Sequence, residues 1–236
     1  MGQIYLIRHG QASFSKSDYD QLADRGFEQA RVLGESLRAR VPQVDQAFAG
    51  GMRRHQETGS TCLQAMGQGT ALTLLPGFNE FDHDEIIERH QPRYANRMLM
   101  MAEMAATLEP RRAFQRFFQE AVKRWVSGAH DDEYTESWPQ FKARSVAALA
   151  ASVSQLQSAA QGSGATALVF TSGGPITAIC QHLLRVDDEH AFGLNWVLVN
   201  CGVTKIVFGE RGNTTLSSFN DHGHFEGARR QLITYR

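Results

Sequence analysis

Cysteine is scarce in this sequence. The three present, Cys62, Cys180 and Cys201, are odd in number, widely spaced and never in a C-x-x-C pair. That argues against a disulfide framework and for reduced, buried thiols in a cytoplasmic protein. An excess of one charge is also missing: 24 basic and 25 acidic residues leave a formal net charge of -1. No global field then draws the chain to nucleic acid or to a membrane surface, and a small anionic substrate needs a locally positive pocket. No apolar run approaches the roughly 18 residues of a membrane helix. The first residues lack the basic stretch and the long apolar core of a secretion signal. Internal repeats and low-complexity tails are absent.

What is present is ordinary globular composition, 42% hydrophobic and 21% charged over 236 residues, enough for one large core. One elaborated domain over 1–236 is expected. Residues 4–7 form a short β-compatible run that breaks into Arg8-His9-Gly10. A polar loop follows over 11–19. Leu22, Ala23, Phe27, Ala30, Leu33 and Leu37 then recur at helical spacing, with Asp20 or Asp24 as the candidate cap and Pro42 as the stop. A strand over 45–50, a helix over 52–66 and a strand over 70–75 come next. Strand alternating with helix predicts an α/β fold: a three-layer α/β/α sandwich whose central sheet is mostly parallel, with helices on both faces.

Near Phe78 the alternation stops. Helices over 92–107 and 111–127 have no strand between them, which predicts a helical insertion at about 79–135 near the active-site edge of the sheet. A long helix over 139–157, a flexible break at 162–164, an apolar strand over 166–171 and a helix over 176–184 follow, with Pro175 suited to a first helical turn. Runs at 194–199, 203–209 and 214–219 read as closing strands. Trp196 with Val197-Leu198-Val199 would then offer an edge for a homodimer.

Three groups of residues bear on chemistry. A strand ending in Arg8-His9-Gly10 brings a cation and a nucleophile to the carboxyl edge of a sheet, where open α/β folds bind ligands. His9 there is suited to attack a phosphoryl group held by Arg8, and Gly10 would let the backbone approach a bound oxyanion. The ordinary alternative is a strand-end histidine satisfied by its neighbours. Next, Gly50-Gly51 precedes a helix that starts Met52-Arg53-Arg54-His55. The helix dipole disfavours a cation in the first turn, and a phosphate there would offset that. The third group is the acidic stretch at 79–88, with Glu80 and Asp82 as candidate acids. Asp82-His83-Asp84-Glu85 and His222-x-His224 have the look of metal ligands, but charged loop residues of this kind are usually solvated, and no metal is expected. Arginines and Met98, Met100, Met101 and Met104 in the insertion suit either a lid over the pocket or, more simply, a helix pair with a Met-rich buried face.

Taken together these segments resemble the phosphoglycerate mutase-like histidine phosphatase superfamily, in its Arg-His-Gly branch. The resemblance rests on Arg8-His9-Gly10, on Leu22-Ala23-Asp24-Arg25-Gly26-Phe27-Glu28-Gln29-Ala30, on the 50–58 segment containing Arg54 and on Phe78-Asn79-Glu80. It continues through Glu136-Ser137 with Phe141-Lys142-Ala143-Arg144 and ends at Asn220-Asp221-His222-Gly223-His224-Phe225. It implies His9, Glu80, Arg8 and Arg54 as catalytic residues, and Ser15, Ser172, Gly173 and His224 as substrate-binding ones. Arg54 rather than Arg53 becomes the second phosphate-binding arginine, and Glu80 rather than Asp82 the proton donor.

The implied activity is that of a metal-independent phosphatase that hydrolyses a phosphomonoester through a phosphohistidine on His9 and needs no cofactor. Its partners would be a small phosphorylated substrate or inorganic phosphate. A phosphoglycerate mutase-type phosphotransferase is the alternative, though Gln11-Ala12 replaces the Glu-Ser expected of a mutase. Two departures from the family pattern bear on the rate. Ser172 stands where a second histidine is usual, and Ser15 lies where a phosphate-contacting Asn is usual. A hydroxyl donates one hydrogen bond and carries no charge, so a weakly active or non-catalytic phosphate-binding relative is a further alternative. His83, His222 and His224 are candidates to fill the gap.

Overall fold

The computed structural model describes residues 1–13, 20–159 and 164–235, and of Glu189 only the backbone. Six strands form one sheet in the order β3-β2-β4-β1-β5-β6. β1 (Gly2–Arg8) lies between β4 (Thr166–Thr171), to which it is parallel, and β5 (Val203–Phe208), to which it is antiparallel. β2 (Gln46–Ala49) pairs in parallel with β4 and with β3 (Leu72–Leu74), and β6 (Thr214–Asp221) closes the far edge antiparallel to β5. The sheet is therefore mostly parallel, as expected, with two antiparallel strands at one side.

Alternation along the strands divides the core. Tyr5 and Ile7 of β1, Leu168 and Phe170 of β4, and Ala47 and Ala49 of β2 face α1 (Asp24–Arg40) and α2 (Arg53–Met66). Ile4 and Leu6, Ala167 and Val169, and Phe48 face α6 (Trp138–Ala159) and α7 (Gly173–Leu184) on the other side. A strand covered on both faces reads as a continuous apolar run, because every second side chain meets a different layer. The three cysteines are buried and free.

Among the described residues, the segment after β3 contributes helices and no strand up to β4: α3 (His83–His90), α4 (Arg97–Ala105) and α5 (Pro110–Val126) precede α6. Aromatic rings join them to α6 and to the short helices α8 (Asp188–Ala191) and α9 (Gly193–Val197). Phe81 lies 4.9 Å from Trp125 and 5.7 Å from Phe141 between ring centroids, and Trp138 lies 5.2 Å from Trp125. Of the methionines, Met100 is buried and Met104 is partly buried, while Met98 and Met101 face solvent. The Met-rich buried face is thus half of what the spacing suggested.

Other expectations need correction. α1 has Ala23 at its cap position with no side-chain bond; Asp24 lies in its first turn and Asp20 serves a different helix. The strand read over 194–199 does not form. Residues 193–197 are helical, and Leu198 and Val199 are fully buried, so no edge strand for a homodimer exists there. The apolar run is explained by this burial, and Asn220 fixes it: its side chain accepts from Val199 N at 2.9 Å and donates to Val197 O at 2.7 Å. The loop read over 11–19 and the break at 162–164 fall mostly outside the described residues. No helix among the described residues is long and apolar enough to cross a membrane.

Candidate active site

β1, β2 and β4 all end on one edge, and the site is built there. His9 follows β1 directly and is 7% exposed. Its amide donates to Thr171 O of β4 at 2.8 Å, and its own carbonyl accepts from Asn200 Nδ2 at 3.0 Å. Its ring Nδ1 lies 2.7 Å from Gly10 O. A carbonyl only accepts, so Nδ1 carries the proton and Nε2 presents its lone pair. Nε2 receives Arg54 Nε at 3.3 Å. Burial, then the charges of Arg54 and Arg8 and the neighbouring His55, push the imidazole well below its ordinary titration range and keep it neutral.

Gly10 has a different reason from the one expected. A Cβ there would lie 2.5 Å from Gly26 O, and one on Gly26 would lie 2.3 Å from Gln11 O. The two glycines let the loop after β1 touch the first turn of α1, and this contact holds His9 against the sheet. Gly10 N also donates to Thr58 Oγ1 of α2 at 3.1 Å, and Gln11 N to Gln29 Oε1 of α1 at 2.8 Å.

Arg54 lies in the first turn of α2 and is 5% exposed. The conflict between its charge and the helix dipole is met within the chain. Asp20 accepts from Arg54 Nη1 at 2.7 Å through one oxygen and from Arg53 N at 2.8 Å through the other. One carboxylate is thus counter-ion to the guanidinium and acceptor for a helix-start amide. Asp20 was missed as a site residue because it stands far from Arg54 in sequence and no local pattern links the two. Arg8 Nη1 donates to Leu198 O and, at 2.8 Å, to Tyr235 O. Its charge acts on both His9 and Glu80.

Glu80 sits at the start of α7. Its carboxyl accepts from Gly174 N at 3.2 Å and from Phe81 N at 3.3 Å. Burial raises its pKa, against the lowering pull of Arg54, those two amides and Arg8. A Cβ on Gly174 would lie 2.1 Å from Glu80 Oε1, so only glycine allows this approach. The turn that carries Glu80 is tied to α6. Arg144 bonds Glu136 through Nε at 2.6 Å and Nη2 at 2.7 Å, and its Nη1 donates to the carbonyls of Gly77 and Asn79 at 3.0 Å. Asp82 is otherwise engaged: its carboxylate caps α3 by accepting from Asp84 N and Glu85 N.

Ser172 and Gly173 join β4 to α7. Ser172 is fully buried, and its Oγ lies 2.6 Å from Nε2 of His55, which is also fully buried. The His55 and His9 rings are 5.7 Å apart. His55 was read only as the neighbour of Arg54; helical geometry turns it to the β4–α7 loop, which spacing alone does not show. The other predicted residues divide as follows. Ser15 lies outside the described residues. His224 packs at a tilt on Phe225, with ring centroids 4.1 Å apart, and is acted on by Asp221, Arg40 and His222. His83 packs on Phe81 and Phe118. His222 Nδ1 donates to Asn220 O at 2.7 Å. Among the described residues no group of three or more His, Cys, Asp or Glu is placed to hold a metal ion.

A neutral histidine whose Nε2 lone pair accepts from Arg54, two guanidinium charges, a carboxyl of raised pKa and a helix start share one sheet edge. This arrangement sets positive charge and a helix start beside an unprotonated imidazole nitrogen, a setting that suits an anionic group. The chain belongs to the histidine phosphatase superfamily (branch 1), whose family model matches residues 4–101 and 101–222. Members of that superfamily are phosphatases or mutases.

Relatives by sequence include 2,3-bisphosphoglycerate-dependent phosphoglycerate mutases. Those of Parvibaculum lavamentivorans and Methylorubrum extorquens are each 32% identical over 90 residues, covering 35% of this chain. The match spans less than half of those enzymes, 43% and 42% of their length. By structure the fold resembles a phosphoglycerate mutase from Bacillus anthracis, at 21% identity and a TM-score of 0.63, covering 97% of this chain and 96% of that one. It also resembles a mycobacterial glucosyl-3-phosphoglycerate phosphatase solved with inorganic phosphate, at 18% identity and a TM-score of 0.62, covering 94% and 98%.

Proposed function

We propose that this protein is a metal-independent phosphatase that hydrolyses a phosphomonoester through a phosphohistidine on His9, in one catalytic domain whose helices at about 79–135 border the pocket. One observation carries the reading: Nδ1 of His9 is protonated against Gly10 O, which leaves Nε2 as a lone pair beside Arg54. In the first step His9 Nε2 bonds to phosphorus and the bond to the leaving oxygen breaks. Glu80, whose raised pKa favours the protonated form, gives its proton to that oxygen. In the second step water attacks phosphorus, its proton returns to the Glu80 carboxylate, and the P–N bond breaks. Arg8, Arg54, Ser172 and the Gly173 N–H surround the phosphoryl oxygens. Splitting one displacement into two lowers the barrier of each, and positioned charge supplies most of the rate.

Incubation with an aryl phosphate, followed by a rapid quench, is expected to leave acid-labile phosphate on His9 and to release phenol over many turnovers. His9→Ala is expected to lose both while remaining folded. Turnover in folded His9→Ala would refute the mechanism, and phosphate binding without phosphohistidine would make the protein a binder. The curated relatives support a second reading, a phosphoglycerate mutase. Phosphoryl exchange between phosphoglycerates by the same phosphoenzyme, faster than hydrolysis, would establish it.

A further inference from the structure

The hydrogen bond between α2 and the β4–α7 loop is unusual for where it lies. Ser172 holds the cap position of α7, yet its hydroxyl makes no bond to that helix. A cap serine normally gives its oxygen to an amide two or three residues on. Here the oxygen meets His55 Nε2 at 2.6 Å instead. The proton position on His55 follows from the other nitrogen. Nδ1 is buried with no hydrogen-bond partner among the described residues and faces Gly50, where a Cβ would lie 2.3 Å away. A buried donor left unpaired is rarer than an under-satisfied acceptor, so the proton is assigned to Nε2. Burial and the Arg54 charge keep the ring neutral, with one proton to place. His55 then donates and Ser172 accepts. A hydroxyl has one proton and two lone pairs; with a lone pair taken, the proton remains to be given elsewhere.

The surroundings say to what. Ser172 follows Thr171, whose carbonyl holds the His9 amide. His55 follows Arg54, whose guanidinium meets His9. We infer that His55 and Ser172 act as one donor unit, in which His55 Nε2–H fixes the Ser172 hydroxyl so that its proton points at a phosphoryl oxygen held beside His9. The inference rests on the reading that His9 meets a phosphoryl group. It makes Ser172 a binding residue and His55 a positioning residue acting through it. Donor chains of this kind strengthen each link by polarisation. Gly50 belongs to the unit, since any side chain there would displace the imidazole.

Two replacements of His55 separate hydrogen bonding from filling of space. His55→Gln retains an N–H near the Nε2 position; His55→Leu keeps bulk and donates nothing. Inorganic phosphate would be titrated calorimetrically into the full chain, its two His55 variants, Ser172→Ala and the His55→Leu/Ser172→Ala double variant, with thermal unfolding as the check of fold. His55→Gln is expected to bind phosphate within about threefold of the original chain. His55→Leu and Ser172→Ala are each expected to lose about tenfold or more, and the double variant no more than the weaker single one, as groups acting in series do. In the original chain, phosphate is expected to shift the ring nitrogen resonances of His55; in Ser172→Ala it is not. Equal affinity in folded His55→Leu and the original chain, or losses that multiply in the double variant, would overturn the unit. The reading of His9 fails differently, as phosphate binding that follows this pattern with no phosphohistidine formed. Absence of phosphate binding by the original chain would defeat both.

Discussion

The edge of the sheet and the helical segment beside it are held together by opposite means. At the edge, His9, Arg54, His55 and Ser172 are all polar and all between 0% and 7% exposed. Each is fixed by named hydrogen bonds and by glycines that allow backbone contact. In the segment over 79–135 the order comes from rings. Phe81 and Trp125 meet each other and Phe141 of α6 at centroid distances of 4.9 to 5.7 Å, and the outer side of α4 exposes Met98 and Met101. Directional bonds demand particular residues at particular places. Contact area asks only for volume and shape, and tolerates exchange. The same chain therefore has one region where substitution breaks directional bonds and another where it removes contact area.

Four measurements would break or sharpen this contrast. Glu80→Gln removes the proposed proton donor and keeps one oxygen to accept from Gly174 N or Phe81 N, and is expected to lower turnover about 10²- to 10⁴-fold, the usual range for loss of general acid–base catalysis. A folded variant with unchanged turnover on a poor leaving group would move the acid elsewhere. Trp125→Ala, in the aromatic region, is expected to destabilise by about 3–5 kcal/mol in urea unfolding. Phosphate binding at His9 should survive wherever the variant remains folded. Simultaneous loss of both would show that the two regions unfold as one.

The third measurement is stability against pH. Burial holds His224 at about 4, against 6.5 for an ordinary histidine, and holds His9 and His55 well below 6.5 as well. A depressed histidine binds its proton more readily when unfolded. Its contribution is therefore complete above about pH 6.5 and is lost as the pH falls toward the folded value. Urea midpoints are expected to fall between pH 7 and 4.5, and His224→Gln to flatten part of that fall; a flat profile would contradict the burial of these rings. The smallest effect is expected from Met98→Ser with Met101→Ser. As exposed positions they should change stability by no more than about 0.5 kcal/mol each, and any change in KM should depend on the substrate.

The contrast also accounts for how much the sequence disclosed. Strand-end motifs were legible because chemistry restricts them to few residue types. Arg8, His9, Arg54, Glu80, Ser172 and Gly173 do lie at one edge, and the alternation that predicted a mostly parallel sheet is present. Bonds between distant segments were not legible. Asp20 was read as a cap for α1 and instead caps α2 and pairs with Arg54. His55 was unremarked beside Arg54, because its partner Ser172 lies 117 residues away. Gly10 was read as room for an oxyanion and proves to be room for Gly26. The run at 194–199 was misread because a short apolar stretch has no length or period to separate a strand from a short helix with a buried end. Asn220, which clamps that end, belongs to β6, beyond any local window.

The position of β1 carries a consequence for how the protein comes into being. Its two neighbours in the sheet are residues 166–171 and 203–208. Ribosomes deliver the chain from its amino end at about 5–20 residues per second, so Ile4, Tyr5, Leu6 and Ile7 emerge long before either neighbour exists. For that interval a sticky, unpaired strand is in the hands of the cell. His9, which follows it, is set in place only when residues 166–171 and 203–208 arrive. A chain truncated ahead of β4 would expose its hydrophobic first strand and leave His9 without the Thr171 carbonyl that holds its amide.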